Sequence, residues 1–209
     1  YIINGFKSVV FGAGMATHLI ISARTDGDQR SKSGITLFLV DIKSDGITLQ
    51  NYPTIDEYRA SEVVIENLTV SKENILGELG NSYEAIEEQV DLSTIAICSE
   101  AVGILQVLKD STNDYCKNRK QFGQSISANQ AIQHRLVDMM IEYEQAKSIL
   151  YMAITADLSN SDERRKAASA AKARIGKAIK FVGENAIQLH GGMGVVDEYM
   201  ISHFFKRAT

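Results

Sequence analysis

The sequence predicts an α+β chain in two parts, a β-rich domain over residues 1–79 and a helical bundle over residues 80–209. Three observations carry this. The hydrophobic period changes from about two residues to about 3.6 near Gly80. The charge balance changes there too: residues 1–84 hold seven Lys/Arg against eleven Asp/Glu, while the remainder holds fifteen of each. The only proline, Pro53, lies in the first part, so nothing interrupts long helices in the second.

The strands follow in order. Gly5 to Phe11 is one extended run, and Leu19 to Ala23 is apolar and β-branched. Thr25 to Ser33 is polar and rich in turn formers, which predicts an exposed loop. Ile35 to Ile42 is strand-like, Ser44-Asp45-Gly46 is a turn, and Ile47-Thr48-Leu49 resumes the extended chain. From Ala60 to Leu68 the alternation places Val63 and Ile65 on one face and Val64 and Glu66 on the other. Short strands at this spacing predict an antiparallel barrel or sandwich.

The helices follow. Ile97, Ala101, Ile104, Leu105 and Leu108 form one stripe. Ile132, Leu136, Met139, Tyr143 and Leu150 form a second, and Ile175, Ile179, Val182, Ala186 and Leu189 a third. Asp162 is placed to cap the third helix and Gly191-Gly192 to end it. A shorter helix is expected over about Glu198–Lys206. Long helices with short connections imply an up-down bundle.

Composition excludes several classes. Hydrophobic residues are 44% and charged residues 23%, which excludes a disordered tail or a coiled-coil rod. A net charge of −4 gives no nucleic-acid footprint. No uninterrupted apolar run nears the roughly 20 residues of a membrane span. Two separate cysteines, Cys98 and Cys116, point to a reducing compartment, the cytoplasm. The chain opens on Tyr1 within a strand and stops after Arg207-Ala208-Thr209, so a piece of a longer protein is expected. His134 and Asp138 lie one helical turn apart with no third ligand, so no metal site is expected.

Two segments exceed ordinary structural need. In Arg119-Lys120-Gln121-Phe122-Gly123-Gln124, the cations either complement a helix C-terminus or present Arg119 as a fork for an anionic group. In Gln188-Leu189-His190-Gly191-Gly192-Met193-Gly194, three glycines within four residues are more than a helix cap requires. They either serve packing or let backbone approach a ligand, with Gln188 and His190 supplying hydrogen-bonding groups.

With Asn129-Gln130-Ala131-Ile132-Gln133-His134-Arg135 between them, these segments resemble the acyl-CoA dehydrogenase family. Tyr1-Ile2-Ile3-Asn4-Gly5-Phe6-Lys7, Gly34-Ile35-Thr36-Leu37-Phe38-Leu39-Val40 and Asn74-Ile75-Leu76-Gly77-Glu78 resemble landmarks of that family's middle domain. The resemblance covers essentially the whole chain. It implies a middle β-barrel domain followed by a C-terminal four-helix bundle, without the family's N-terminal helical domain and last helix. It also implies FAD, held between subunits. Arg119 would face the pyrophosphate with Gln121 and Phe122 beside it. Gln130 would lie nearby, and Gln188, His190, Gly191 and Gly192 would line the dinucleotide from another side. Phe11 would pack on the flavin ring. The implied reaction removes two hydrogens across Cα–Cβ of an acyl-CoA, a carboxylate taking the α-proton and the flavin the β-hydride. Electrons would pass to an electron-transferring flavoprotein, and the working form would be a homo- or hetero-oligomer.

The sequence departs from the family in several places. In most members the catalytic Glu lies beyond the position of Thr209; in a subset it lies where Ser93 stands here. Thr94 replaces an Arg used near the acyl-CoA, and Val9-Val10-Phe11 replaces Trp-Ile-Thr flavin contacts. No residue of this chain is therefore assigned as the base. Arg59-Ala60-Ser61-Glu62-Val63 and His203-Phe204-Phe205-Lys206-Arg207 resemble the small subunit of pimeloyl-CoA dehydrogenase-like enzymes, a partner that helps bind FAD without carrying the base. Two alternatives remain at this stage: a flavin monooxygenase or oxidase on the same fold, and a non-catalytic scaffold.

Overall fold

A computed structural model describes residues 1–209, which divide into two compact units, Tyr1–Glu87 and Glu88–Thr209. The first unit contains β1 (Ile2–Phe11), β2 (His18–Arg24), β3 (Ile35–Asp41), β4 (Ile47–Pro53), β5 (Arg59–Thr69) and β6 (Ile75–Leu76). They form two three-stranded antiparallel sheets, ordered β1-β5-β4 and β2-β3-β6. Ile3, Val63, Ile65 and Leu68 of the first sheet meet Leu19, Ile21, Phe38 and Val40 of the second in one core. The alternation read for residues 60–68 places Val63 and Ile65 inward, 1% and 2% exposed.

The expected closed barrel is not formed. No ladder joins β1 to β2, and Lys7 reaches across instead, donating from Nζ to the Ser22 carbonyl at 2.9 Å. A cavity of about 550 Å³ lies there, lined by Tyr1–Lys7, Ile21–Thr25, Phe38 and Ile65. Closure requires a continuous ring of paired strands, and both β1 and β2 are edges.

Two loops carry the turns. Gly46 has φ +92, and a Cβ there would meet the Glu66 carbonyl at 2.4 Å, so only glycine fits. The 25–33 loop folds around one side chain: Arg24 donates to the carbonyls of Asp26, Gln29, Ser31 and Ser33 at 2.9–3.3 Å.

The second unit is built on α1 (Tyr83–Asn118), α2 (Gln130–Thr155), α3 (Ser161–His190) and the short α4 (Met200–Ala208). A hairpin, β7 (Lys120–Gln121) and β8 (Gln124–Ser125), joins α1 to α2. The core of α1 runs through Ile95, Cys98, Val102, Leu105, Leu108, Thr112 and Cys116. The predicted first stripe was thus partly displaced: Ile97 is 48% exposed, while Cys98 is buried. Alanines at 167, 168, 171, 178 and 186 let the neighbouring helices approach α3 closely, with Ile175 and Val182 filling the centre. By length and composition α1 could cross a membrane, but its buried residues form the bundle core with α2 and α3.

Asn160, not Asp162, caps α3. Its side-chain oxygen accepts the amides of Asp162 and Glu163 at 3.0 and 3.2 Å. Asp162 and Glu163 instead fill the first turn, where carboxylates suit the helix dipole. Gly191 ends α3 as expected, at φ 59. Arg207 of α4 donates from Nε and Nη2 to the two Glu100 oxygens at 2.6 and 2.9 Å.

Candidate functional site

In the helical unit the structure gathers the expected segments at one end of the bundle. Tyr115, in the last turns of α1, lies with its ring 4.3 Å from that of His190, the last residue of α3. The tyrosine hydroxyl also points at the His190 carbonyl at 3.5 Å. Arg135 of α2 donates to Asn185 of α3 at 2.8 Å, which brings the start of α2 to the same end. The β7–β8 hairpin, the first turn of α2 with Gln130, and the turn after α3 therefore emerge together.

Arg119 is exposed, and its contacts run through its backbone: the amide donates to Tyr115 at 2.8 Å and the carbonyl accepts from Ile126 at 2.9 Å. Its guanidinium takes no carboxylate and no helix carbonyl. Asn118 fills the capping role, donating to the Asp114 carbonyl at 2.9 Å. Lys117 and Lys120 flank Arg119 and are also exposed, so the corner carries concentrated positive charge. That arrangement suits an anion.

Phe122 and Gly123 form the hairpin turn with φ +54 and +84. Two positive φ values mark the turn that matches strand twist, and its first position ordinarily takes Asn, Asp or Gly. A phenylalanine there is strained, and this one is 100% exposed. Strain combined with full exposure of a large ring has no stabilising return within the chain. Gln121, next to it in the hairpin, and Gln130, at the start of α2, are exposed.

The three glycines after α3 separate by role. Gly191 supplies the positive-φ cap, φ 59 and ψ −138, a conformation that favours glycine. A Cβ on Gly194 would meet the Ile187 carbonyl at 2.9 Å, so packing requires it. Gly192 has negative φ and open space around the Cβ position, so neither reason applies. An open backbone face at the same end of the bundle as an unpartnered arginine leaves room for the close approach of a ligand. Gln188 is exposed on the same turn.

His190 does not line that surface with its ring. It is 3% exposed, between Tyr115 and Tyr199, whose ring lies 5.4 Å away. Its Nδ1 donates to the Ala186 carbonyl at 2.8 Å, and Nε2 is buried without a partner. Burial holds the imidazole below its ordinary pKa of 6.5, against the opposing Ala186 bond. The histidine braces the turn and presents only its backbone. Sequence reasoning missed Tyr115 and Tyr199, which position it; neither belongs to either motif.

Phe11 belongs to the β unit, 60% exposed at the end of β1. Ser93 is exposed on α1, and Thr94 returns its hydroxyl to the Val90 carbonyl at 2.7 Å. Glu100, two turns further along α1, is held by Arg207, and Asp91, two residues before Ser93, faces Arg164 at 3.5 Å. No group of three His, Cys, Asp or Glu side chains is arranged to hold a metal, and His134 and Asp138 are exposed.

Residues 83–209 match the family model described as acyl-CoA dehydrogenase, C-terminal domain. The chain belongs to the acyl-CoA dehydrogenase family. It is 30% identical to the Etf-complex subunit CarC of caffeyl-CoA reductase from Acetobacterium woodii, across 99% of this chain and 55% of that one. It superposes on a glutaryl-coenzyme A dehydrogenase in complex with glutaryl-CoA with a TM-score of 0.90 at 27% identity, covering 99% of this chain and 53% of that one. An FAD-dependent dehydrogenase superposes with a TM-score of 0.91 at 28% identity, over 100% of this chain and 56% of that one. The chain thus spans about half the length of the relatives it matches.

Proposed function

We propose that this chain forms part of an FAD-dependent oxidoreductase acting across Cα–Cβ of an acyl-CoA thioester. The observation that carries the reading is the exposed, unpartnered Arg119 at the same bundle end as the open Gly192 backbone. Arg119 binds the pyrophosphate by charge-assisted hydrogen bonds. Phe122 packs on the nucleotide, and Gln121, Gln130 and Gln188 offer hydrogen-bonding groups around it. Gly191 and Gly192 admit the dinucleotide to the backbone, while His190 holds that backbone in place from beneath. In the β domain, the exposed Phe11 is the residue proposed to pack on a flavin ring. The flavin, when bound, supplies the redox chemistry.

A strained, fully exposed Phe122 favours a site completed by another subunit, so an oligomer is part of the proposal. We further propose that this subunit carries no catalytic base over residues 1–209. Ser93 is no carboxylate, and Glu100 is engaged by Arg207. A base-lacking partner of the pimeloyl-CoA dehydrogenase type is the finer form of this reading. Kinship with a caffeyl-CoA reductase subunit makes enoyl thioesters substrates to test beside saturated ones, with an electron-transferring flavoprotein as redox partner. Two free, buried thiols support the cytoplasm as compartment.

The test is FAD titration of the full-length protein with its oligomeric partner, comparing wild type with Arg119→Ala. Loss of one charge-assisted contact should weaken FAD by about 2 kcal/mol, roughly thirtyfold. Unchanged affinity in the variant would favour a scaffold.

A further inference from the structure

We infer that Glu62 is the positioning residue for the outer end of β1, the strand end that carries Phe11, which packs on the flavin in the proposed function. The consequence for the cofactor rests on that reading; the geometry does not.

The β1–β5 ladder slips at this point. Lys7 pairs with Val63 and Val10 with Ser61, so Ser8 and Val9 together face the single residue Glu62. This is a β-bulge. Side chains alternate with period two, so one extra residue exchanges the faces of everything beyond it. Past the bulge Val10 packs against the core and Phe11 points out. Without the bulge, Phe11 would turn inward.

The bulge is strained. Val9 has φ +54, a conformation that a β-branched residue rarely adopts, and it is 48% exposed, so no burial of its own compensates. What lies opposite is a carboxylate. Glu62 Oε1 accepts the Tyr52 hydroxyl at 2.7 Å and faces the Val9 amide at 3.4 Å. Glu62 pairs with Gln50 on β4, and Tyr52 lies two residues along. One oxygen on the central strand thus ties β4 to the bulged edge strand.

The second oxygen, Oε2, is buried with no partner. A residue chosen only to fill this sheet face would carry no such lone pair, since leaving it unmade is unfavourable. The carboxylate is therefore explained by what Oε1 holds. Glu62 touches no expected cofactor residue; it acts through Val9 and the strand that ends in Phe11.

The experiment uses the full-length protein with its oligomeric partner and the variants Glu62→Ala, Glu62→Gln and Tyr52→Phe. Hydrogen exchange of the segment from Gly5 to Gly12 is followed without cofactor, together with FAD affinity and thermal midpoint. Glu62→Ala should speed exchange at Ser8–Phe11 by about tenfold and weaken FAD by about tenfold, the range expected for one lost hydrogen bond to a charged group. Glu62→Gln keeps an acceptor oxygen and should restore both to within about twofold. Tyr52→Phe, which removes both the donor to Oε1 and the hydroxyl's own contact with the Val9 backbone, should fall between and serves if Glu62→Ala does not fold. Unchanged exchange in Glu62→Ala, or in Tyr52→Phe when that variant stands in for it, overturns the inference. So does an equal loss of FAD in Ala and Gln variants with β1 exchange unmoved. If wild type itself binds no FAD, the proposed function fails, while the exchange comparison still decides whether Glu62 holds the bulge.

Discussion

At the scale of single residues, His190 shows what a motif conceals. Its neighbours in sequence are exposed glycines, which invited an outward-facing imidazole. The ring instead fills a slot between two tyrosines contributed from 75 residues upstream and from just before α4. Periodicity cannot find that slot, because it depends on where α1 ends relative to α3. The consequence is a pH dependence with a definite sign. The folded state disfavours the imidazolium, so the unfolded chain binds the extra proton more readily. Stability should be full above about pH 6.5 and fall as pH drops from there toward the lower folded value. The slope for one proton cannot exceed about 1.4 kcal/mol per pH unit. Urea titrations from pH 7.5 to 5 should show a shallower slope in His190→Gln than in wild type. Cys98 and Cys116 follow the same logic, since burial raises both thiols above their usual range. Neither should react with a disulfide reagent in the native state, and both should react in denaturant.

At the scale of elements, strand and helix identity was largely legible, whereas ends and faces were less so. The alternation from Ala60 to Leu68 has one periodic reading, and the structure shows that face buried. In α1 the apolar residues are dense enough that two adjacent stripes fit equally, and Ile97 fell on the wrong one. At the start of α3 three capping residue types stand in succession, Asn160-Ser161-Asp162, and only the backbone geometry chooses among them. Asn160→Ala should lower stability by about 1 kcal/mol, whereas Asp162→Ala should cost less, because it removes a dipole contact rather than a hydrogen-bond acceptor. Paired denaturation curves check the order. The bulge in β1 was invisible in sequence, because nothing in Lys7-Ser8-Val9-Val10 marks an inserted residue.

At the scale of the whole molecule, the two-part α+β organisation was legible, but closure of the barrel was not. Closure depends on pairing the edges of both sheets, β1 with β2 and β4 with β6, and each strand's own pattern is compatible with an edge or an interior position. The candidate site was legible as two motifs in order, while their meeting at one end of the bundle required the contacts of Tyr115 and Arg135. If the hairpin bearing Phe122 completes its site against another subunit, cofactor retention becomes a property of the assembly. Dilution below the assembly constant should then release FAD in step with dissociation, as linked equilibria require. Flavin fluorescence and sedimentation followed over the same concentration series should change together; release that precedes dissociation would place the whole site in one subunit.

The loop gathered by Arg24 has a consequence of another kind. A guanidinium surrounded by four carbonyls does the work that a bound calcium ion does in many loops, chelating the main chain rather than its side chains. A covalently attached chelation centre cannot be stripped by EDTA and does not depend on ion supply. It also reads no side-chain identity from Asp26 to Ser33, apart from what Gly27 and the turns demand. Apart from the Asp26 carboxylate that takes the Gly27 amide and the paired Ser31 and Ser33 hydroxyls, that stretch can drift in sequence while keeping its shape, which makes it a natural place to graft a foreign peptide.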